Sequence, residues 1–204
     1  MLMKILILSD VHANLTALDA VLKAEQSFDR VLFLGDAVDY GPDPAACLDR
    51  LADLEPVWVR GNHDNAVATG ADCGCAPAFR RLSRVSREFT RSVLRPEHLD
   101  LLRTLPVERA VSVGGQDFYL THASPADHLF EYVSPTTEPQ RLARAMEAAP
   151  DRCGSSSSDT PTVPTSGLSG TKQPSTPAAW GNLGTTIPAP PTLSGKTVIS
   201  ASRE

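Results

Sequence analysis

Lys4-Ile5-Leu6-Ile7-Leu8-Ser9-Asp10-Val11-His12 is the stretch on which the fold turns. An unbroken apolar run of this length suits a strand buried on both faces, the kind found in parallel sheets covered by helices. The run stops at Ser9-Asp10, so its polar residues fall at the strand's carboxyl end. The same grammar recurs further along. Val31–Leu34 runs into Gly35-Asp36, Val57–Val59 into Gly61-Asn62-His63-Asp64, and Asp117–Leu120 into Thr121-His122. Between the strands the period changes. Leu15, Leu18, Val21 and Leu22 recur at helical spacing, which predicts a helix over 14–26 with Asn14 as its N-cap. A second helix is expected over 44–53, after the Gly41-Pro42-Asp43-Pro44 turn, and helical structure over 77–105 with a restart at Pro96. Val107–Val113 and Asp117–Leu120, joined around Gly114-Gly115, read as a hairpin. Strands alternating with helices predict an α/β architecture, its sheet largely parallel in the first half.

In open α/β sheets, ligands bind outside the carboxyl ends of the strands, so the four polar clusters are expected to converge. Together they supply two carboxylates (Asp10, Asp36), three imidazoles (His12, His63, His122) and the amide of Asn62. Taken singly, an Asp at a strand end is most often a turn former or cap. An Asn-His pair is more often a loop contact than a ligand. Recurrence at every strand end favours a metal site instead. Carboxylate oxygen mixed with imidazole nitrogen suits Mn, Fe, Zn or Co better than an all-oxygen Mg or Ca cage. His98 and His128 are assigned to ordinary structure. Asp39, Asp43 and Asp64 are assigned to turns or to supporting the ligands.

Composition narrows the class. The 204 residues carry a formal charge of −5 and are 41% hydrophobic. The charge argues against a nucleic-acid-binding surface, since such domains are usually basic. No apolar run approaches the length of about 20 residues needed to span a bilayer. The opening MLMKILILSD is too short and too quickly acidic for a signal peptide. Four cysteines without a pairing pattern point to reduced thiols and a cytoplasmic location. A compositional break falls near residue 150: from Asp151 to Glu204, Ser, Thr, Pro and Gly fill 32 of 54 positions by direct count. The expected organisation is a domain over 1–150 and a tail over 151–204, largely disordered because it cannot bury enough apolar surface to offset chain entropy.

Asp10-x-His12, Gly35-Asp36, Gly61-Asn62-His63-Asp64 and Thr121-His122-Ala123-Ser124-Pro125 together resemble the calcineurin-like metallophosphoesterases. The likeness is nearest to small prokaryotic members that are similar to diadenosine tetraphosphatases and phosphodiesterases. It covers roughly residues 3–150. It implies a four-layer α/β/β/α sandwich with an incomplete C-terminal part, and a site for two divalent metal ions, manganese first, with iron, zinc, cobalt or nickel as alternatives. In that reading Asp10 and His12 hold the first metal, Asp36 bridges both, and Asn62 and His122 hold the second. His63 contacts the scissile phosphate and protonates the leaving oxygen, while a metal-activated hydroxide attacks. The substrate would be a phosphoester small molecule or a nucleotide, and helices 77–105 would form a lid over it. Two alternatives stand beside this reading. One is a catalytically inactive metal-binding or protein-interaction module. The other is a phosphatase with Asp10 as covalent nucleophile, which would want a carboxylate where this chain has His12.

The family pattern also has a later Gly-His-x-His segment, giving one ligand to each metal, and often Asn-Pro-Gly-Ser followed by Val-Gly-x-Pro-Arg. This chain has no histidine after His128. Both losses coincide with the compositional break. If the tail is read one base late, moving its frame back by one base lets Asp159-Thr160-Pro161-Thr162 permit Gly-His-Thr-His. In the same shifted frame, residues 176–184 permit Asn-Pro-Gly-Ser-Val-Gly-Gln-Pro-Arg, in which the glycine opposite Gly181 is forced by the tryptophan codon before it. A frameshift with its junction near Pro150–Gly154 is therefore expected, leaving the 151–204 tail out of frame.

Overall fold

The computed structural model describes residues 3–134 and 136–149, together with the backbone of 185–188 and 197–200. Strand β1 (Lys4–Leu8) pairs in parallel with β2 (Arg30–Phe33), which pairs in parallel with β3 (Val57–Trp58). The hairpin strands β4 (Glu108–Val113) and β5 (Gln116–Thr121) form the core of a second sheet.

Alternation along the strands holds the sheets together. Leu6, Leu8, Val31, Phe33 and Trp58 point to one face and pack with the helices. Ile5, Leu32, Leu34, Val57 and Val59 point to the other and meet Val113, Phe118 and Leu120 of the second sheet. Each β1–β3 strand is thus buried on both faces, which is why its sequence runs apolar without a break. The helix-side core is covered by α1 (Leu15–Glu25), through Leu18 and Leu22, and by α2 (Pro44–Ala52), through Leu48 and Leu51. Asn14 caps α1 as expected, its Oδ1 accepting from Ala17 N at 3.0 Å.

The 77–105 segment resolves into a short 3-10 turn (Pro77–Phe79), α4 (Arg80–Val93) and α5 (Pro96–Thr104), with the restart at Pro96. The sequence did not single out α3 (Asn62–Thr69) or α6 (Pro139–Glu147). Most of the expected disordered tail lies outside the described residues. Two stretches of it are nonetheless strands. β6 (Thr185–Pro188) runs antiparallel to β1, and β7 (Thr197–Ser200) runs parallel to β5. The sheet orders are therefore β3-β2-β1-β6 and β4-β5-β7.

Two glycines set how closely the strand ends approach. Gly35 has φ +98°, and a Cβ there would fall on the backbone of Gly61. A Cβ on Gly61 would fall on Asp36. Gly35→Ala combines left-handed strain with overpacking against main chain that cannot step aside. It is expected to lower stability by about 3 kcal/mol, readable as a reduced urea midpoint. A midpoint within error of the parent would contradict this packing.

Candidate metal centre

The polar strand ends do converge, and the backbone is bent to make them do so. Asp10, His12, Ala13, Asp36, Asp39 and Tyr40 all have positive φ, between 46° and 71°. Such conformations are costly for non-glycine residues and persist where surrounding structure enforces them. Here the loop after β1 is laced to the loop after β2: Asp10 N donates to Gly35 O at 3.0 Å, His12 N to Asp36 O at 3.0 Å, and Ala13 N to Ala37 O at 2.8 Å.

Asp36 is the centre of the cluster and is fully buried. Its Oδ2 lies 3.7 Å from His12 Nε2 and 3.4 Å from His122 Nε2, and its Oδ1 accepts the backbone N–H of His63 at 2.8 Å. Asp10 Oδ1 is 3.7 Å from His12 Nε2. Asn62 Oδ1 lies 3.0 Å from His122 Nε2. Ligand atoms of Asp10, Asp36 and His122 all fall within 4.8 Å of one another. Two imidazoles present Nε2 to this cluster. His12 Nδ1 faces Val38 O at 3.1 Å and His122 Nδ1 faces Leu34 O at 2.8 Å, so each carries its proton on Nδ1 and turns the Nε2 lone pair to the carboxylates. A lone pair facing a carboxylate is stable only with a cation or a proton between them.

The electrostatics express that requirement. Burial opposes a charge on His122, yet the Asp36 carboxylate beside it raises its pKa to about 9. Burial likewise opposes ionising Asp36, but His122, His12 and His63 hold it well below the usual carboxylate range. His12 is pushed down, chiefly by burial. The donor set, two carboxylates, two Nε2 lone pairs and an amide oxygen around one small volume, fits divalent transition-metal ions.

His63 stands apart from the atoms that gather around Asp36. Its Nδ1 is 2.9 Å from Asp39 Oδ2, and its Nε2 is buried without a hydrogen-bond partner among the described residues. Its ring lies against those of His12 and Tyr40, with centroids 5.1 and 4.8 Å away. Asp39 also receives the hydroxyls of Ser86 and Thr90, each at 3.4 Å, from the inward face of α4. The sequence reading left Asp39 among turns and supporting residues and did not pair it with His63. Its placement three residues after Asp36, in the same strand-end loop, was the available signal.

Asp64 proves to be a clamp. Its carboxylate accepts from the backbone N–H groups of Asp36, Ala37, Val38 and Gly61, at 2.8 to 3.3 Å. Burial, with the nearby Asp36 charge, still pushes its carboxyl up to about 6. Asn62, His63 and Asp64 form the first turn of α3 rather than a loop, which faces all three inward and buries them. Of the histidines set aside, His98 is buried and bonded to Asp49 at 2.9 Å, and His128 lies 3.0 Å from the Tyr119 hydroxyl. Beside Asp10 and His12 opens a cavity of about 510 Å3, with an apolar side at Leu8, Leu18 and Val21 and a rim at Tyr40.

Known proteins carry related chains. An uncharacterized protein of Methanocaldococcus jannaschii is 31% identical over 134 residues, 64% of this chain and 54% of that one. A metallophosphoesterase structure from Sphaerobacter thermophilus has 37% identity and a TM-score of 0.52, over 64% of this chain and 51% of the other. A hypothetical protein from Pyrococcus horikoshii shares the fold at 20% identity and a TM-score of 0.57, over 70% of this chain and 63% of its own. This chain thus spans about half the length of the first two. The sequence profile of the calcineurin-like phosphoesterases matches residues 3–152, which include every residue of the cluster around Asp36, and the chain belongs to that family.

Proposed function

We propose that this protein is a metal-dependent phosphoester hydrolase with a two-ion site. Asp10, His12 and Asp36 hold one ion, Asp36, Asn62 and His122 hold the other, and manganese is the first choice of metal. The observation that carries the reading is Asp36 itself. One buried carboxylate oxygen stands within 3.4–3.7 Å of Nε2 atoms contributed by the loop after β1 and the end of β5. Bound divalent ions supply Lewis-acid polarisation of the phosphoryl oxygens and bring the pKa of water close to neutral.

The chain's own residues do the rest. The cavity beside Asp10 and His12 receives the ester, with Tyr40 at its rim. Asp39 accepts from His63 Nδ1 and so fixes the orientation of the ring, leaving Nε2 free of that contact. That leaves the Nε2 proton as the one delivered to the departing oxygen. The 77–105 helices act as the lid, since α4 reaches Asp39 through Ser86 and Thr90. The substrate is a small phosphoester or a nucleotide. No helix among the described residues is long and apolar enough to cross a membrane. A cytoplasmic location is supported by the free thiols of Cys47, Cys73 and Cys75; burial first pushes that of Cys47 up to about 12.

The frameshift belongs to the same proposal. β6 and β7 hold Thr-Thr-Ile-Pro and Thr-Val-Ile-Ser, with no imidazole or carboxylate among them, so neither replaces the missing Gly-His-x-His ligands. Each ion site then keeps three of four side chains. Even disturbing a partner of a ligand costs about 10–100-fold in affinity or activity. The protein as encoded is therefore expected to bind Mn2+ weakly and to cleave a chromogenic phosphodiester barely above background. The form read one base earlier from the junction near Pro150–Gly154 is expected to recover both. Strong Mn2+-dependent turnover by the unmodified 204-residue chain, abolished by Asp10→Ala, would overturn the frame reading. Metal binding without turnover in either form would favour the inactive metal-binding module.

A further inference from the structure

Helix α4 carries a basic face as well as its inward hydroxyl face. The chain as a whole is at −5, yet residues 79–93 hold five arginines and a single acid, Glu88, a local balance of +4. Four of them, Arg80, Arg81, Arg84 and Arg87, line one cleft of about 300 Å3. That volume sits at the lower end of the range of about 300–1,000 Å3 typical of small-molecule sites. Its base is Cys73 and Ser83, both buried, their Sγ and Oγ atoms 3.0 Å apart. Asp72 is the one carboxylate in the lining, and it is turned to Gly74 N at 2.7 Å. Four guanidiniums against one carboxylate leave the cleft at +3.

Among the described residues, three of these four charges have no partner. The Arg87 side chain donates to Ala71 O at 2.9 Å, whereas the side chains of Arg80, Arg81 and Arg84 make no hydrogen bond or ion pair with any described residue. The first turn of α4 holds no acidic residue, so the positive end of the helix adds to the field instead of being cancelled. A concavity lined by one sign of charge focuses its potential and concentrates counter-ions. Guanidinium forks match phosphate oxygens in particular, two N–H groups to two oxygens. Arg80, Arg84 and Arg87 recur at i, i+4 and i+7 on one helix face, spacing that suits several anionic groups in a row.

We infer that this cleft is a binding site for an oligophosphate, separate from the cluster around Asp36 and not dependent on hydrolysis. The two are nevertheless adjoined: the Cys73 carbonyl accepts from Asn62 Nδ2 at 2.6 Å, and Asn62 Oδ1 faces His122. The phosphates could belong to free inorganic oligophosphate or to the tail of a nucleotide.

Calorimetric titration of the 204-residue protein in EDTA tests this with the metal centre silenced. Inorganic tripolyphosphate and ATP serve as the two probes. Saturable binding is expected, weakening as ionic strength rises. Arg80→Gln/Arg84→Gln should weaken it at least about tenfold, by loss of charge-assisted hydrogen bonds. Arg30→Gln/Arg144→Gln, which removes the same charge at two exposed positions outside the cleft, should leave it unchanged. Equal affinity for the two probes names the phosphate chain as the ligand, and tighter binding of ATP adds the nucleoside. No binding of either probe, or equal loss in both double variants, would overturn the site. Because EDTA removes the ions, a failure here leaves the hydrolase reading untouched.

Discussion

His63→Ala, made in the frame-restored protein, is expected to lower phosphodiester turnover by about 10²–10⁴ while leaving Mn2+ content unchanged. The two effects separate because His63 makes its contacts away from the ligand atoms. Its Nδ1 is taken by Asp39, and its Nε2 is the unpartnered atom. Asp36→Asn is the contrasting variant. The amide removes the negative charge that both His12 and His122 face, so both ions should be lost together with activity. Metal analysis beside kinetics resolves the pair. Metal loss in His63→Ala as complete as in Asp36→Asn would make His63 a ligand and remove it from its acid role. Asp39→Asn should fall between the parent and His63→Ala in turnover, with metal retained, since it frees the His63 ring without deleting it.

A second large effect concerns pH in the metal-free protein. The folded-state pKa of His122 is raised to about 9 by Asp36, from an ordinary value near 6.5. Between those limits the folded chain binds more protons than the unfolded chain. Its stabilising contribution is therefore complete below pH 6.5 and is lost as pH rises through 9. At about 1.4 kcal/mol per unit this amounts to roughly 3 kcal/mol, a large share of an ordinary domain's stability. His122 and Asp36 are one interacting pair, so the shift on Asp36 is the same energy and is not added. The lowered pKa of His12 acts below pH 6.5, outside the window. Urea midpoints in EDTA should fall between pH 6.5 and 9, and saturating Mn2+ should abolish the fall by taking the proton's place. A flat profile in EDTA would show that His122 is neutral in the folded chain.

Much of this site was legible because the chemistry sits at positions the backbone period marks. Asp10, Asp36 and His122 each follow an apolar run, and a buried strand that ends in a polar residue places that residue at the sheet's edge whatever the loop does next. Asn14 was readable for a similar reason, as a capping side chain just ahead of a helical period. The part that escaped depends on contacts between segments far apart in sequence. Asn62 looked like a loop residue, yet it opens α3, although Asn and Asp in a first turn before Gly70 mark a helix. Asp39 and Ser86 are 47 residues apart and meet only once α4 has docked. For α4 the period itself misleads. Leu82, Val85, Phe89 and Val93 recur as a core face would, and all are exposed, while Ser83, Ser86 and Thr90 are buried. β6 and β7, four residues each, carry no alternation long enough to register.

That inverted helix governs how the region over His63 can breathe. Drawing α4 outward uncovers Ser83, Ser86 and Thr90, whose hydroxyls water solvates at once, and no large buried apolar side chain of its own. The hydrophobic penalty that locks an ordinary surface helix in place is missing from this one. Its two ends are also unequal. From Pro77 to Leu82 every residue is exposed, while Leu94, just past the other end, is buried in the helix-side core. Local opening therefore begins at the arginine-bearing end and is tethered near Leu94, at a free energy well below that of global unfolding. The rest position of the helix is set by polar contacts, those of Ser86 and Thr90 with Asp39 and Tyr40, of Ser83 with Cys73, and of Arg87 and Arg91 with the carbonyls of Ala71 and Val67, and whatever competes for those contacts decides how long it stays docked.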